Sequence, residues 1–360
     1  MSKLRVAVIV CGGIANGKHL PALTGQSEKC QIVALCDIIL ERAEQAAVDF
    51  DLPEAKVYED YKQLLAEVKP DVVHVCTPNR SHSEITVAAL EAGCHVMCEK
   101  PMAKTYAQAQ EMLEAARRTG KKLTIGYQNR CTPESLYLKK ACERGDLGEI
   151  YFAKAHAIRR RAVPTWGVFL NEYEQGGGPL IDIGTHALDL TLWEMDNYEP
   201  RMVVGTTYKK LGDQRDTGNA WGDWDREKFT VEDSAFGFVV MKNGATIILE
   251  SSWALNTLDI DEAKTTLCGT KAGADMRDGL RFNKADMGAL TTIVPDLAGK
   301  GVAFFDAAGS QPQDVECAQW LDAVLNDTDP LVKPEQAIVV TRILEAIYTS
   351  AKTGQPVYFD

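Results

Sequence analysis

Arg5-Val6-Ala7-Val8-Ile9-Val10-Cys11-Gly12-Gly13-Ile14-Ala15 is the stretch whose reading decides the fold of the first half. A continuous β-branched run bounded by glycines suits a strand buried on both faces. Strands of that kind belong to parallel sheets, where helices cover each side. The run predicts a strand to Val10, a tight turn at Gly12-Gly13 and a helix from about Ala15. Working outward, apolar runs at 31–37, 71–76, 95–98 and 123–126 read as further strands. Between them, 41–50, 60–68, 83–92 and 106–118 are helical in composition. Strand and helix alternate at short spacing, which predicts a doubly wound parallel sheet.

The glycine turn carries the first chemical signal. A dinucleotide-binding fingerprint reads Gly-x-Gly-x-x-Gly/Ala between a strand and a helix. Here the aligned residues are Val10-Cys11-Gly12-Gly13-Ile14-Ala15. Gly12 fills the second glycine position and Ala15 is acceptable at the third, but Val10 replaces the first. A β-branched residue resists the turn geometry that glycine permits. Either Gly13 carries the turn instead, or a pyrophosphate sits differently. Asp37 ends the second strand, where an acid binds adenosine ribose hydroxyls and repels a 2′-phosphate. That favours NAD over NADP, with Arg42 close enough in sequence to leave NADP open.

His95-Val96-Met97-Cys98-Glu99-Lys100-Pro101 reads as a buried strand stopped by a proline. Its last side chains then lie at the sheet's carboxyl edge, where open parallel sheets bind ligands. Thr77-Pro78-Asn79-Arg80-Ser81-His82 is a polar loop at the same edge. Thr77, Asn79 and His82 are candidates for the nicotinamide end of a cofactor, and Gln128 is counted with them. For His82 alone, a surface residue at a helix N-terminus is the plainer reading.

The pattern changes after Arg130. A helix at 133–144 leads to a strand at 150–156, and Arg159-Arg160-Arg161 precedes Pro164-Thr165-Trp166-Gly167. Three adjacent arginines usually mark a solvated face; Trp166 is a candidate for covering a cofactor or pocket mouth. Gly176-Gly177-Gly178-Pro179 then opens a helix expected over 180–195, with Pro179 in its first turn. Asp182, His186, Asp189 and Trp193 recur at four, three and four, so they share a face. A carboxylate beside an imidazole orients the ring and raises its basicity. A metal would need more ligands than the six scattered histidines offer, so none is expected. Beyond Arg201, β-rich runs at 203–208, 229–241, 245–253 and 263–268 dominate, with Lys242-Asn243-Gly244 as a hairpin turn. Antiparallel hairpins with one wet face make an α+β domain. The loop 212–224, rich in Asp, Gly and Trp, is either a sugar-pocket wall or a surface excursion; 313–325 and 335–352 are closing helices.

The bulk numbers narrow the class. A chain of 360 residues has room for two domains, and a net charge of −12 argues against nucleic acid or an anionic membrane as partner. Ten cysteines contain no Cys-x-x-Cys pair, and several sit in apolar runs as small hydrophobes. Reduced thiols and a cytoplasmic location are expected. The first apolar run is too short for a signal-peptide core or a membrane span.

Glu99-Lys100-Pro101, Thr77-Pro78-Asn79 and Asp182-Ile183-Gly184-Thr185-His186 together resemble the glucose–fructose oxidoreductase / inositol dehydrogenase / rhizopine-catabolism family (Gfo/Idh/MocA), over essentially the whole chain. The resemblance implies a nicotinamide-dependent oxidoreductase acting on sugars, polyols or their derivatives. Its fold would be a Rossmann domain over 1–126, then an α+β domain over 127–360 with an open-faced, mostly antiparallel sheet. By the same resemblance Glu99 and Pro101 shape the nicotinamide contact, and Lys100 reaches substrate. Pro164-Thr165-Trp166-Gly167 and the Gly-Gly-Gly-Pro lead resemble members that oxidise the C3 hydroxyl of glucose or a glucoside, C-glycoside 3-oxidases among them.

The expected mechanism follows. NAD⁺ lies along the sheet edge with its pyrophosphate at Gly12-Gly13, Ile14 and Ala15. Lys100 and His186 meet across nicotinamide and sugar. His186, oriented by Asp182, takes a proton from a secondary hydroxyl as hydride leaves the carbon, while Lys100 stabilises the developing alkoxide. An inositol or polyol dehydrogenase would use the same residues. An NAD-dependent glycosidase acting by transient oxidation and elimination, or a non-catalytic NAD-sensing protein, are the rivals of other classes. An apolar open sheet face usually pairs with a second subunit, so a homo-oligomer (dimer, tetramer or higher) is expected.

Overall fold

A computed structural model describes residues 3–297 and 311–359. The chain forms two compact units. The first runs to Gln128 and also takes in the helix Pro312–Leu325 and the chain to Ile338; the second starts at Asn129 and resumes at Val339. The single division expected after residue 126 misses that return. Cys317, Trp320 and Leu321 join the same buried cluster as Leu20, Leu23 and Cys30. An apolar helix face reads alike whichever core receives it, so the period cannot reveal its destination.

In the first unit six strands lie in the order β3-β2-β1-β4-β5-β6. They are β1 (Leu4–Ile9), β2 (Cys30–Cys36), β3 (Lys56–Tyr58), β4 (Val72–Val75), β5 (His95–Cys98) and β6 (Leu123–Ile125). Every pairing is parallel. This is the doubly wound order, and its direction reverses between β1 and β4, where such sheets open a crevice. Val6 to Ile9 and Val72 to Val75 are buried because helices cover both faces. The helices obey their local signals. Asp60 caps Tyr61–Val68 by accepting from the Lys62 N–H, and Thr105 caps Tyr106–Thr119 by accepting from the Gln108 N–H. The short β3 was not expected; three residues carry too little pattern to register.

The second unit holds a nine-stranded sheet in the order β14-β13-β12-β11-β7-β10-β9-β8-β15. Its strands are β7 (Ile150–Ile158), β8 (Pro200–Tyr208), β9 (Ser234–Met241), β10 (Thr246–Ser252), β11 (Asp261–Gly269), β12 (Gly273–Asp275), β13 (Arg281–Asp286), β14 (Ala289–Ile293) and β15 (Val357–Tyr358). Only β7 and β10 run parallel; the other pairs are antiparallel. Gly244, at φ +91°, closes the β9–β10 hairpin where Asn-Gly predicts it. Along β9, Ala235, Gly237, Val239 and Met241 are buried, while Phe238 between them is 42 % exposed. The sheet therefore has one covered face and one open apolar face. The edge strands β12 to β15 went unread because their residues are mostly polar or lie on strands of two to six residues.

The helix Pro334–Thr353 lies against the covered face through a gap left by two facing glycines. Gly205 and Gly237 are register partners on β8 and β9. A Cβ on Gly237 would stand 2.5 Å from Ile347 Cδ1, and one on Gly205 would stand 3.0 Å from the Ile347 Cα. Gly237→Ala should therefore cost about 1–3 kcal/mol by overpacking. Ile347→Val removes the colliding Cδ1 and should recover part of that loss in the double variant. Gly205→Ala meets helix backbone, and Ile347→Val should not rescue it. Urea unfolding of the four variants measures the coupling.

Candidate functional site

At the β1 turn Val10 itself takes φ +72°, and neither Gly12 nor Gly13 has a positive φ. The first-glycine position thus keeps its left-handed geometry despite the β-branched residue, at a strain of about 1–3 kcal/mol. Two anchors hold it. The Val10 N–H donates to the Cys36 carbonyl at 2.7 Å, and the Cys11 N–H donates to Asp37 Oδ2 at 2.9 Å. Asp37 Oδ1 accepts the Ile39 N–H at 2.9 Å, so this nearly fully buried carboxylate ties the glycine turn to the end of β2. A Cβ on Gly13 would meet no protein atom within 4 Å. Glycine there is not demanded by protein packing, and the bare backbone fits the close approach of a pyrophosphate. Gly13 and Ile14 are exposed, whereas Ala15 is buried at the start of a π-helical turn, Ala15–His19.

Glu99 sits in a buried charged cluster. It is 4 % exposed. Its Oε1 accepts Lys18 Nζ at 2.6 Å and lies 2.8 Å from His19 Nε2. Lys18 also reaches Glu316 at 2.9 Å, and His19 Nδ1 meets His74 Nδ1 at 2.9 Å. Burial opposes the Glu99 charge, but Lys18 and then His19 overcome it and hold the carboxyl well below its usual range. Gly126 leaves room for this cluster, since a Cβ there would stand 2.9 Å from Glu99 Oε1. Glu99 Oε2 accepts the backbone N–H of Lys100 at 3.1 Å. The network therefore sets the backbone from which Lys100, itself partly buried, extends.

His82 is fully buried. Its Nδ1 lies 2.8 Å from the Pro101 carbonyl and its Nε2 3.0 Å from the Thr77 carbonyl. The ring thus joins the loops after β4 and β5, and both nitrogens face backbone. Thr77 and Asn79 are buried in the same loop, and Gln128 is partly buried in a 3₁₀ turn, Gln128–Cys131.

In the second unit the expected helix begins as a π-helical turn, Leu180–Gly184, and becomes α-helical over Thr185–Met195. Asp182 and His186 are partly exposed at this start. Asp182 Oδ2 accepts the indole N–H of Trp253 at 3.0 Å. Asp189, expected on the same face, is instead buried against Arg130, whose Nε and Nη2 donate to it at 2.9 and 2.6 Å. Trp193 lies 5.3 Å from that guanidinium. The stripe thus divides along its length: a partly exposed pair at the helix start, then a buried structural pair that packs against Arg130. Trp166 is 52 % exposed, and its ring meets Trp221 at 4.9 Å.

Glu232 and Tyr348 escaped the sequence reading, although the Gly-Gly-Gly-Pro lead was their signal. Glu232 Oε2 accepts the Gly178 N–H at 2.9 Å, and Oε1 accepts the Leu180 N–H at 3.2 Å and the Tyr348 hydroxyl at 2.8 Å. A Cβ on Gly177 would stand 2.0 Å from the Tyr348 hydroxyl, and one on Gly178 2.2 Å from the Glu232 carbonyl oxygen. The glycines are there because this clasp closes around the start of the helix bearing Asp182 and His186. Burial pushes the Glu232 carboxyl up, the donors pull it back, and it settles at about 7.

Two outcomes follow for stability. Glu99→Ala should lower ligand-free stability by about 2–3 kcal/mol, less than a buried pair with no other partner because Glu316 still faces Lys18. A residue that only touched nucleotide would leave ligand-free unfolding unchanged. For Glu232 the folded pKa lies above the ordinary carboxylate value, so the folded state holds the proton more tightly. Stability should fall as pH rises from about 4.5 to about 7 and then level, by about 1–3 kcal/mol after allowance for residual solvent. Glu232→Gln should flatten that window in urea titrations run at stepped pH.

Comparison with known proteins fits this geometry. Residues 4–127 match the family described as "Oxidoreductase family, NAD-binding Rossmann fold", and residues 139–359 match "Oxidoreductase family, C-terminal alpha/beta domain". The D-glucoside 3-dehydrogenase of Escherichia coli (strain K12) is 37 % identical over 357 residues, spanning 98 % of this chain and 97 % of that protein. An inositol 2-dehydrogenase of Salmonella typhimurium (strain LT2) is 35 % identical over 161 residues, 44 % of this chain and 48 % of that protein. The fold is also that of levoglucosan dehydrogenase in complex with NADH and levoglucosan, at a TM-score of 0.83, 21 % identity and 99 % coverage of each chain. With both halves matched in order, the chain belongs to the Gfo/Idh/MocA oxidoreductase family and is an oxidoreductase built on an NAD-binding Rossmann domain.

Proposed function

We propose that the protein is an NAD-dependent dehydrogenase that oxidises the C3 hydroxyl of glucose or a glucoside to a 3-keto sugar. The end-to-end likeness to a D-glucoside 3-dehydrogenase carries this reading. In the reaction a secondary alcohol loses a proton from oxygen and a hydride from carbon, leaving a ketone. When bound, the nicotinamide supplies the hydride acceptor. His186 takes the hydroxyl proton at an imidazole nitrogen. Asp182, held by the Trp253 indole N–H, orients the ring and stabilises the imidazolium. Lys100 donates to the developing alkoxide. Gly12, Gly13, Ile14 and Ala15 would hold the pyrophosphate, with Thr77, Asn79 and Gln128 toward the nicotinamide and Trp166 at the pocket mouth. Glu99 and His82 act behind them, through the loops they tie.

NAD is favoured over NADP because the Asp37 carboxylate directly follows β2 and is fixed beside the glycine turn by the Cys11 and Ile39 N–H groups. A 2′-phosphate brought there would face like charge. The open face bearing Val204, Tyr208 and Phe238 is the surface on which we expect a homo-oligomer to form. Among the described residues no helix is long and apolar enough to cross a membrane. The partial likeness to inositol 2-dehydrogenases favours a cyclic polyol as the second reading.

His186→Ala and Lys100→Ala should each lower kcat by about 10²–10⁴-fold while NAD⁺ affinity changes little. The assay is absorbance at the reduced-nicotinamide band with glucose, methyl glucoside and myo-inositol, and mass spectrometry of the products. Loss of two hydrogens from the sugars supports the proposal. Turnover of inositol alone favours the polyol reading, and wild-type rates in either variant remove these roles.

A further inference from the structure

We propose that Trp166 and Trp221 form a subsite for a flat, apolar aglycone, so that the substrates are glucosides carrying an aromatic group. This rests on the glucoside reading above and specifies its substrate class. Trp166 is 52 % exposed and Trp221 44 % exposed, and their rings meet at 77° with centroids 4.9 Å apart. Water against this much indole surface is unfavourable, and a planar ring in the corner would displace it. The geometry offers one indole face for stacking and a second ring for an edge contact.

The corner is built rather than loose. The Asn219 side chain accepts the Val163 N–H at 2.8 Å and donates to the Val163 carbonyl at 3.0 Å. The Thr165 hydroxyl donates to the Trp221 carbonyl at 2.9 Å, and the Ala220 N–H donates to the Arg161 carbonyl at 3.1 Å. Arg159 lies 5.3 Å over the Trp221 ring, held by Glu262 at 2.5 and 2.6 Å. The two loops are thus stapled together before any ligand arrives, which lowers the ordering cost of binding.

Position ties the corner to the reaction. Phe169 touches Trp166, with centroids 6.0 Å apart, and Trp253, at 6.5 Å. Trp253 donates its indole N–H to Asp182. A row of rings therefore leads from the exposed corner to the carboxylate assigned to orient His186. A glucosyl group beside Asp182 would direct its aglycone along that row. A second sugar is the poorer occupant, because Asn219 and Thr165 direct their polar groups at backbone and Arg159 directs its own at Glu262, which leaves ring surface facing out. Hydroxyl-rich rings need donors and acceptors around them; aromatic rings need faces and edges.

The test compares phenyl β-D-glucoside, methyl β-D-glucoside and cellobiose with NAD⁺ at the reduced-nicotinamide band. Phenyl glucoside should exceed methyl glucoside in kcat/KM by roughly tenfold, the gain lying in KM. Trp221→Ala should erase most of that ratio, and Trp221→Phe should keep most of it. A ratio near one in the wild type, an unchanged ratio in Trp221→Ala, or a preference for cellobiose would overturn the subsite. If no glucoside is oxidised, the reaction reading falls, and calorimetric titration with phenyl glucoside still decides the subsite. Binding weakened roughly tenfold in Trp221→Ala supports it; absent or equal binding overturns it.

Discussion

Glu99 closes β5 inside the protein, where a lone carboxylate could not remain charged. Lys18 at 2.6 Å and His19 at 2.8 Å make the charge tolerable, and Glu316 at 2.9 Å balances Lys18 in turn. The consequence is positional. Lys18 and His19 belong to the turn after β1, His74 to β4, and Glu316 to the helix Pro312–Leu325. One buried cluster thus fixes the glycine turn, the middle of the sheet and the returning helix together. The backbone of Lys100 is bonded to the same carboxylate. The first unit can present a nucleotide crevice at its switch point because this cluster, with Asp37 beneath the glycine turn, holds the edge in one arrangement.

The second unit solves a parallel problem with different groups. A helix start leaves backbone N–H groups without partners inside the helix. Glu232 accepts two of those near Asp182, and Tyr348 completes the clasp. Pro179 contributes no N–H and so needs no acceptor. Gly177 and Gly178 are the steric condition for this contact, since any side chain there would strike Tyr348 or Glu232. Trp253 then fixes the Asp182 carboxylate from the sheet side. The helix start bearing the pair proposed for proton transfer is therefore held by a carboxylate, a phenol and an indole.

Much of the first unit was legible because its information is local. The apolar runs of β1, β2, β4 and β5 mark strands buried on both faces, and helical composition between them marks the covering helices. The second unit was legible where alternation was long, as in β8 to β10, and failed at β12 to β15. The 180–195 stripe was half read. Asp182 and His186 do lie partly exposed at the helix start, but Asp189 turned out to be the buried partner of Arg130. Spacing along a chain says which side chains share a face; it does not say which part of that face a distant arginine packs against. Val10 is the converse case. Its residue type argued against a left-handed turn, and tertiary hydrogen bonds impose that turn regardless.

By itself the sequence determined most of the longer elements, the doubly wound parallel class of the first half, the family resemblance and the polar residues worth suspecting. These follow from periods of 2 and 3.6 residues and from motifs a few residues long. Only the tertiary structure decided which suspected residues are buried in hydrogen-bonded clusters and which stay partly exposed. Glu99 and Lys18 are 81 positions apart, Glu232 and Tyr348 are 116 apart, and Asp182 and Trp253 are 71 apart. No local pattern encodes such pairs, because the need for them, satisfying a buried charge or a helix end, exists only once the chain has folded.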